Sequence, residues 1–300
     1  MSATLLDGRK LAGELRKKFA TEILILGAEL GRPPGLSVIL VGDDPASAVY
    51  VGNKIRACEQ VGIRGTLHRF PSDVEPHMVT DLISSLNDDR QTDGILVQLP
   101  LPAHHDINAI LHTISVDKDV DGFHLYNVGG LVAGETVFSP CTPFGVVKLL
   151  DAAGIDVAGK NVVIVGASNI VGKPMALMMM KREATVTVCH AKTRDLAQFT
   201  ILADILVVAA GVPGLIVPQM VRRGAVVIDV GINRLADGSL TGDVDFEGVR
   251  EKASHITPVP GGVGPMTVAM LLANTIASAK RAKIQGIAVV PNATPDEMLL

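Results

Sequence analysis

Short apolar segments alternate with helix-length segments along most of the chain, and this alternation constrains the fold more than any other feature of the sequence. The apolar segments span residues 36–41, 66–70, 94–99, 161–165, 185–189, 204–209 and 225–230. Apolar runs of roughly four to eight residues, bounded by turn-forming residues, are typical of buried strands. Strands that alternate with helices form βαβ units around a mostly parallel sheet. The sequence therefore predicts an α/β fold.

Composition favours helix-covered parallel sheets and excludes other classes of protein. The 300 residues include no Trp, two Tyr and seven Phe, so the sheets must pack through Val, Ile, Leu and Ala, as buried parallel strands do. The net charge is -4 and the chain has no long run of like charges, which a nucleic acid or a lipid surface would require. We therefore expect neither nucleic acid nor membrane as a partner.

Cysteine usage and the apolar runs predict a cytoplasmic protein. The three cysteines, Cys58, Cys141 and Cys189, are odd in number and widely spaced, which is typical of a reducing compartment. No pair of them has the spacing of zinc ligands, and no metal site is predicted. The longest apolar stretch, residues 205–217, is interrupted by Gly and Pro and is shorter than the roughly 20 residues that span a bilayer. The N-terminus lacks the apolar core and cleavage site of a secretion signal.

A glycine-rich break between residues 121 and 143 divides the chain into two predicted domains. Thr142 and Pro143 have the character of an N-cap followed by a proline in the first helical turn, and they predict a helix through about Leu150. The cleft between two α/β domains is the natural place for a ligand.

The C-terminal part of the chain completes the predicted domain organisation. A helix over residues 264–283 follows the last strand and could return to the first domain, and a loosely held tail is predicted from Gln285 onward. The predicted boundaries are residues 1–141 with 275–300 for one domain and residues 142–274 for the other.

A glycine-containing turn at residues 166–172 follows the predicted strand 161–165 and precedes a predicted helix that begins near Gly172. This order directs backbone N–H groups and a helix N-terminus at a pyrophosphate. The motif departs from the common G-x-G-x-x-G because Ser168 holds the second glycine position and the last glycine comes one residue late. An ordinary tight turn would use the same glycines. The following strands and the 229–233 turn outline a Rossmann-like half, which favours dinucleotide binding.

The residues after the second strand of this half bear on the choice between NADP and NAD. NAD-specific enzymes carry an acidic residue there that binds the ribose 2′-hydroxyl. This chain has Cys189-His-Ala-Lys-Thr-Arg194, without a carboxylate, and Lys192 and Arg194 could contact a 2′-phosphate. The same residues could be solvated loop charges, the commoner fate of surface lysines.

Polar residues at the ends of predicted elements mark a second candidate site, in the first domain. Tyr50 and Lys54 share one face of a predicted helix, although such a pair is more often a surface contact. Gln98 ends an otherwise apolar strand, where open α/β sheets bind ligands. Three carboxylates crowd into residues 117–122, in a polar turn that lacks the spacing and the final Glu of a calcium loop. In the other predicted domain, the Gly- and Pro-rich segment 258–267 either presents backbone groups to a ligand or forms a hinge.

Taken in order, these motifs closely resemble the bifunctional methylenetetrahydrofolate dehydrogenase/cyclohydrolase (FolD) family. The resemblance is carried by Tyr50-x-x-x-Lys54, Gly94-Ile-Leu-Val-Gln-Leu-Pro-Leu-Pro102, Asp117-Lys-Asp-Val-Asp-Gly-Phe123, Pro140-Cys-Thr-Pro143 and Pro260-Gly-Gly-Val-Gly-Pro-Met-Thr267. Each motif is modest alone, but five in order across the chain are specific. The resemblance implies a homodimer of one-carbon metabolism that oxidises 5,10-methylenetetrahydrofolate with NADP, or alternatively NAD, and hydrolyses the 5,10-methenyl product to 10-formyltetrahydrofolate.

The same resemblance implies roles for individual residues. It makes Lys54 the catalytic amine, with Gln98 orienting it and Asp121 holding the pterin, while Tyr50 stacks on the folate rings. Further substrate contacts are implied at Val97, Leu99, Pro260, Gly261 and Gly262, and cofactor contacts at Gly166, Ala167, Ser168, Ala191 and Ile232. Cys141 matches a family position but has no evident base partner, and we interpret it as structural.

The chain departs from the family at two positions near the expected 2′-phosphate. The family usually reads G-R-S and C-H-S where this sequence has Gly166-Ala-Ser168 and Cys189-His-Ala191. Alanine supplies neither a charge nor a donor, so NADP is expected with weak discrimination against NAD. Two alternatives are a dehydrogenase of a small hydroxy or amino acid, which needs a cationic carboxylate clamp that these motifs lack, and a dinucleotide-sensing module without catalysis.

Overall fold

The structure, a computed structural model, describes residues 2–288, with side chains through residue 284. The helices are α1 (Gly8–Leu30), α2 (Pro45–Val61), α3 (Pro76–Asp88), α4 (Ile107–Thr113), α5 (Leu125–Ala133), α6 (Cys141–Ala152), α7 (Gly172–Lys181), α8 (Ala197–Thr200), α9 (Phe246–Arg250) and α10 (Val263–Ala288). The strands are β1 (Thr4–Leu5), β2 (Gly35–Val41), β3 (Arg64–Phe70), β4 (Gly94–Val97), β5 (Asn161–Val165), β6 (Thr185–Cys189), β7 (Ile205–Val208), β8 (Val226–Asp229), β9 (Asn233–Arg234), β10 (Leu240–Thr241) and β11 (His255–Ile256). Two 3₁₀-helices span Val116–Lys118 and Pro218–Met220. The predicted two-domain α/β class is confirmed.

The first domain is built on a three-stranded parallel sheet in the order β3-β2-β4. All seven residues of the central strand β2 are buried, as its apolar sequence requires. Strand β3 begins at Arg64, earlier than predicted, because Arg64 pairs with Gly35 of β2. The prediction that β4 continues to Leu99 is wrong, because its pairing with β2 stops at Val97. Gln98 therefore follows the strand directly.

The second domain contains a six-stranded sheet in the order β1-β11-β8-β7-β5-β6, in which all neighbouring strands are parallel. Strands β5 and β6 have the predicted bounds, and β7 and β8 are each one residue shorter at both ends. Strand β1, from the start of the chain, pairs with β11 at the edge of this sheet, whereas α1 packs against α2 and α10. The N-terminal segment thus contributes to both domains.

Two helices connect the domains. The prediction of Thr142 as an N-cap is wrong: α6 begins at Cys141 after the N-cap Pro140, and Thr142 instead shares a hydrogen bond with Thr267 of α10 at 3.0 Å. Helix α10 packs against α1, α2 and α6, so the predicted return to the first domain is confirmed. It extends to Ala288, past the predicted end at 283, and the remainder of the predicted tail, residues 289–300, lies outside the described residues.

The six-stranded sheet is held by tightly buried aliphatic side chains. In β5 and β7, residues 162–165 and 205–208 are each at most 3% exposed. Removing a side chain of this size from water contributes roughly 1.5–3 kcal/mol, so these strands form a rigid base for the loops at their carboxyl ends. Within residues 2–288, no helix is both long and apolar enough to span a membrane.

Candidate active site

Helix α2 places Tyr50 and Lys54 together at the side of the first domain that faces the second. The helix begins at Pro45, and the carboxylate of its N-cap Asp44 accepts a hydrogen bond from the Ser47 N–H at 2.7 Å. Tyr50 and Lys54 lie one turn apart and are both half-buried. Burial raises the pKa of the Tyr50 phenol, which keeps the ring neutral and suited to stacking.

Gln98 links Lys54 to the end of β4. The Lys54 ammonium donates a hydrogen bond to Gln98 Oε1 at 3.0 Å, and Gln98 Nε2 donates to the Leu99 carbonyl at 2.6 Å. Gln98 is only 9% exposed. Its two hydrogen bonds fix the amide at both its oxygen and its nitrogen. The neighbouring Val97 is buried in the apolar core of the first domain, and Leu99 packs partly against that core.

Asp121 is the third member of this group. Burial raises the pKa of its carboxyl, and the positive charge of Lys54 offsets part of that rise. Burial also raises the pKa of Cys141 well above its ordinary value, so the thiol stays protonated, and Sγ donates to the Val120 carbonyl at 3.3 Å. A half-buried cation, a carboxylate and a buried amide therefore lie together beside the interdomain cleft.

Asn274 also supports Asp121 and has no counterpart among the sequence predictions. Its Nδ2 donates to the carbonyls of Val120 and Ser139 at 2.8 and 3.0 Å. An asparagine within the apolar run of α10 was the available signal, since a buried amide requires partners. Its partners lie more than 130 residues away in the chain, and only the fold reveals them.

The three crowded carboxylates of residues 117–122 take separate roles. Asp117 forms a surface ion pair with Arg281 at 2.9 Å. Asp119 is buried and accepts hydrogen bonds from the Phe123 and His124 N–H groups and from Asn127 Nδ2 at 2.7–3.2 Å. Burial nevertheless raises the pKa of Asp119 to about 6. The segment is thus a structural turn that presents Asp121.

A cleft of about 430 Å³ separates the two domains beside Tyr50, within the usual size range of small-molecule sites, roughly 300–1,000 Å³. Of the predicted site residues, it is lined by Tyr50, Ile232, Pro260, Gly261 and Gly262. The group formed by Lys54, Gln98 and Asp121 lies beside Tyr50 and outside this lining.

The 258–262 loop approaches α1 so closely that side chains are excluded. A Cβ on Gly8 would lie 1.8 Å from the Gly262 carbonyl oxygen, and Gly261 has a φ of +118°. The Arg9 N–H donates to the Gly261 carbonyl at 2.8 Å. The loop is therefore docked on the start of α1, which favours its reading as a ligand-facing wall of the cleft.

The glycine turn after β5 has no space for side chains at its two glycines. Gly166 has a φ of +123°, and a Cβ there would lie 2.1 Å from the Ala209 carbonyl oxygen. A Cβ on Gly172 would lie 1.9 Å from the Gly166 carbonyl oxygen. Ser168 is exposed, and its hydroxyl accepts a hydrogen bond from the Val171 N–H at 3.1 Å. The turn thus brings bare backbone to the start of α7, as a pyrophosphate-binding turn requires.

The loop after β6 is exposed and carries no carboxylate before Asp195. Ala191, Lys192 and Arg194 are all exposed there, and the His190 ring accepts a hydrogen bond from the Lys192 N–H at 3.2 Å. No ion pair within the described residues restrains either cation. Both are available to an anionic ligand.

Two buried aspartates that the sequence analysis did not single out fix the turn around Ile232. Asp229 accepts the N–H groups of Gly231, Asp243 and Val244 at 3.0 Å, and burial raises its pKa to about 6. Asp243 accepts the N–H groups of residues 210 and 211 at 2.7 and 2.8 Å. They hold the 229–233 turn against the loop after β7, and Ile232 remains 39% exposed at the cleft. Metal-binding clusters of His, Cys, Asp or Glu are absent from the described part of the chain.

These features define a class of protein. Two parallel-sheet domains, a glycine turn at the carboxyl end of β5 and an ammonium–amide pair beside the interdomain cleft are the architecture of a two-domain, dinucleotide-dependent dehydrogenase. The family model of the tetrahydrofolate dehydrogenase/cyclohydrolase catalytic domain matches residues 6–121, and the model of the corresponding NAD(P)-binding domain matches residues 140–283. The chain therefore belongs to the tetrahydrofolate dehydrogenase/cyclohydrolase family, as the sequence motifs predict.

Individual relatives agree over nearly the full chain. The bifunctional protein FolD of Nitrosospira multiformis is 56% identical over 95% of this chain and 100% of its own, and that of Moorella thermoacetica is 56% identical over 94% and 100%. The FolD crystal structure from Campylobacter jejuni matches with a TM-score of 0.91 and 51% identity, covering 93% of this chain and 99% of that one. The Trypanosoma brucei FolD structure, complexed with NADP and an inhibitor, also has a TM-score of 0.91, at 39% identity over 94% and 98%.

Proposed function

We propose that this chain oxidises 5,10-methylenetetrahydrofolate to 5,10-methenyltetrahydrofolate with NADP and then hydrolyses the product to 10-formyltetrahydrofolate. Family membership supports both reactions. The observation that carries the site is the 3.0 Å hydrogen bond between Lys54 Nζ and Gln98 Oε1, next to the Asp121 carboxyl. The formyl product is a one-carbon donor, which fits a cytoplasmic enzyme that supplies reactions such as those of purine biosynthesis.

Lys54 moves protons during hydrolysis. Water adds to the bridging carbon of the methenyl cation and loses one proton. The Lys54 ammonium then donates a proton to N5 as the bond from carbon to N5 breaks, and the amine so formed takes the proton of the resulting hydroxyl, so that the proton lost by the water is the one released overall. An ammonium has three N–H donors, and the one held by Gln98 fixes its position, leaving the others to face the substrate. Positioned proton transfer of this kind contributes roughly 10²–10⁴-fold to a rate.

The remaining first-domain residues hold the folate. Asp121 accepts hydrogen bonds from the amino group and ring N–H of the pterin, and Tyr50 stacks on the folate rings. Because the Val97 side chain is buried in the core, Val97 contributes through its main chain. Leu99 and the segment 260–262 complete the enclosure of the substrate.

The cofactor fits the glycine turn, because Gly166 and Gly172 leave only backbone at the surface of that turn. Residues 166–168 would hold the pyrophosphate and ribose, Ala191 would lie beside the adenosine, and Ile232 would contact the nicotinamide. Bound NADP supplies the hydride acceptor for the oxidation. The protein's part is to align the two rings and exclude water. NAD is the alternative cofactor, since Ala167 and Ala191 offer nothing to a 2′-phosphate.

Spectrophotometric assays test the two activities separately. NADP reduction in the presence of methylenetetrahydrofolate reports the oxidation, and loss of methenyltetrahydrofolate without cofactor reports the hydrolysis. Both activities are expected. Cofactor binding with neither activity would instead favour a dinucleotide-sensing module and contradict the proposal.

We also propose that each chain divides into two domains at residues 141 and 274. We further propose that two chains form a homodimer. Strand β6 is an edge of the six-stranded sheet, with Val188 38% exposed, and exposed edge strands invite pairing. On α5, which packs against α7, the helix that packs on β6, Leu125, Tyr126 and Val132 are each more than 60% exposed. A second copy covering these apolar groups accounts for their exposure. Sedimentation equilibrium should give twice the chain mass, and Val188→Lys should shift the species toward monomer.

A further inference from the structure

A row of polar side chains on α10 has no role in the reactions above. Asn274, Ser278 and Arg281 are spaced four and three residues apart, so they share one face of the helix. Asn274 and Ser278 are only 5% and 3% exposed. All three contact the segment 117–122, which carries Asp121. Helix α10 therefore holds this segment through one continuous polar face.

Asn274 makes the contact nearest to Asp121. Its Nδ2 donates to the Val120 carbonyl at 2.8 Å and to the Ser139 carbonyl at 3.0 Å. A side-chain amide has two N–H donors, so each carbonyl receives its own. The Val120 carbonyl belongs to the peptide unit that joins Val120 to Asp121, and a peptide unit is planar. Holding this oxygen therefore fixes the direction in which the chain enters Asp121.

The two segments that Asn274 joins are packed directly against each other. Gly122 has a φ of +78°, and a Cβ there would lie 2.7 Å from the Pro140 nitrogen and 2.8 Å from the Ser139 carbonyl carbon. The turn that follows Asp121 thus fits against its neighbour only as bare backbone. Because Asn274 bonds to a carbonyl on each side of this contact, it sets how the Asp121 turn sits on the neighbouring segment.

We propose that Asn274 is a positioning residue for folate binding, and that its hydrogen bonds to the neighbouring carbonyls aim the Asp121 carboxylate at the pterin. The inference rests on the proposed function. Two parallel hydrogen bonds to a carboxylate depend on the orientation of its plane. A misplacement of about 1 Å is enough to impair such an interaction. Asn274 therefore acts on the folate through Asp121, without touching it.

The other two members of the row act further from Asp121. The Ser278 hydroxyl bonds to the carbonyls of Asp93 and Asp117 at 2.5 and 2.7 Å. Arg281 is exposed and forms an ion pair with the Asp117 carboxylate at 2.9 Å, and exposed ion pairs contribute little. Both contacts on this segment lie four residues before Asp121. The amide at the start of the row is therefore the group through which α10 orients Asp121.

A purely structural role for Asn274 makes a different prediction. A buried amide that merely satisfies two buried carbonyls stabilises the fold without acting on folate through Asp121. Thr275 illustrates such a role, because its buried hydroxyl donates to the Leu271 carbonyl within α10 at 2.8 Å. Loss of a positioning residue instead lowers folate affinity only while the Asp121 carboxylate is present.

The test is a double-mutant cycle on the dissociation constant of 5,10-methylenetetrahydrofolate, measured by calorimetry without cofactor. Asn274→Leu, which has a similar shape but no donors, should weaken folate binding by about tenfold, the effect of one to two neutral hydrogen bonds. In the Asp121→Ala background the same substitution should change the constant by less than about twofold, because no carboxylate remains to be oriented. The dissociation constant of NADP should stay close to wild type. Thr275→Val, which removes the neighbouring buried hydrogen bond, should leave both constants unchanged.

The outcomes separate the inference from the proposed function. Equal losses of folate affinity with and without the Asp121 carboxylate would show that Asn274 acts on the fold as a whole, and would overturn the inference alone. So would wild-type folate affinity in Asn274→Leu. If the leucine variant lacks a cooperative melting transition, Asn274→Ser, which retains one donor, takes its place in the cycle and the same two results decide. A wild-type chain that does not bind methylenetetrahydrofolate, or an Asp121→Ala variant that binds it as tightly as wild type, contradicts the proposed function and the inference with it.

Discussion

The two parts of the candidate active site, here called the chemical end and the adenosine end, are built from different kinds of group. At the chemical end, formed by Lys54, Gln98 and Asp121, side chains from separate elements meet, and the first two are already joined at 3.0 Å. At the adenosine end, formed by residues 166–172 and Ala191, the glycines pack so closely against neighbouring backbone that no side chain fits, and Ala191 is exposed. Side-chain identity should therefore decide activity at the chemical end, and backbone shape should decide it at the adenosine end.

The two ends also differ in solvent access, and therefore in the strength of their electrostatic interactions. Burial raises the pKa of Asp121 at the chemical end, and charges in such surroundings interact strongly. Lys192 and Arg194 near the adenosine end are exposed, where water and salt screen them. A single substitution should therefore reduce ligand affinity or activity more at the chemical end.

The largest expected effect is on folate affinity in Asp121→Ala. Loss of two charge-assisted bonds to the pterin should weaken binding by several kcal/mol, at roughly 1.5–3 kcal/mol for each bond. NADP affinity should change little, and isothermal titration calorimetry with each ligand measures both. Asp117→Ala, which removes a surface carboxylate from the same segment, is the matched control. Equal losses for both ligands would indicate a folding defect and remove the distinction between the two ends.

The titration of Asp119 shows whether a buried carboxylate lies in the segment that presents Asp121. Its folded-state pKa is about 6, above the ordinary value of about 3.9. Its stabilising contribution is therefore present below about pH 4 and is lost as the pH rises through 6, because the folded state pays to keep the charged form buried. The difference amounts to about 3 kcal/mol.

The variant Asp119→Asn lacks this titration. The free energy of unfolding of the wild type minus that of the variant should fall by about 3 kcal/mol between pH 4 and pH 7, as measured by urea denaturation at each pH. Asp117→Asn provides a surface control. A difference that stays constant with pH would show that Asp119 is not titrating in the folded protein.

Gly172→Ala tests the backbone of the adenosine end. The added Cβ would lie 1.9 Å from the Gly166 carbonyl oxygen, and overpacking of this kind costs roughly 1–3 kcal/mol. NADP affinity should fall by up to about a hundredfold, while folate affinity persists. Gly13→Ala, where a Cβ meets nothing within 4 Å, should be neutral. Unchanged NADP binding in Gly172→Ala would mean that the cofactor does not use this turn.

The smallest effect is expected from restoring the usual family residues at the adenosine end. Ala167→Arg combined with Ala191→Ser should raise kcat/KM for NADP, by no more than about 1 kcal/mol for each exposed contact. The value for NAD should barely move. Equal improvement for both cofactors, or none for either, would show that these positions do not contact the 2′-phosphate.

Sequence reasoning succeeded where a local pattern decides the structure. Strand β5 and the glycine turn have the predicted bounds because a run of β-branched residues is followed directly by glycines that alone fit the turn. The end of β4 was harder to predict, because Leu99 is as apolar as Val97. The strand ends at Val97 because its pairing with β2 stops at the Ile39–Val97 pair. Thr142 is a good N-cap residue by type, yet its hydroxyl bonds to Thr267 of α10 instead.

Contacts between distant segments could not be predicted. Asn274 reaches Val120 across 154 residues, and Asp229 and Asp243 organise loops whose proximity depends on the order of strands in the sheet. A single sequence carries the residue types for these sites but not their juxtaposition.

The most direct test of Lys54 as the proton-transfer group is the rate of methenyltetrahydrofolate hydrolysis by Lys54→Met, measured without NADP. The rate should fall by roughly 10²–10⁴-fold, while the melting temperature and NADP affinity stay close to wild type, because a half-exposed lysine contributes little to stability. Lys18→Met, at an exposed position of α1 outside the cleft lining, should hydrolyse normally. Hydrolysis by Lys54→Met at the wild-type rate would show that Lys54 is not the proton-transfer group.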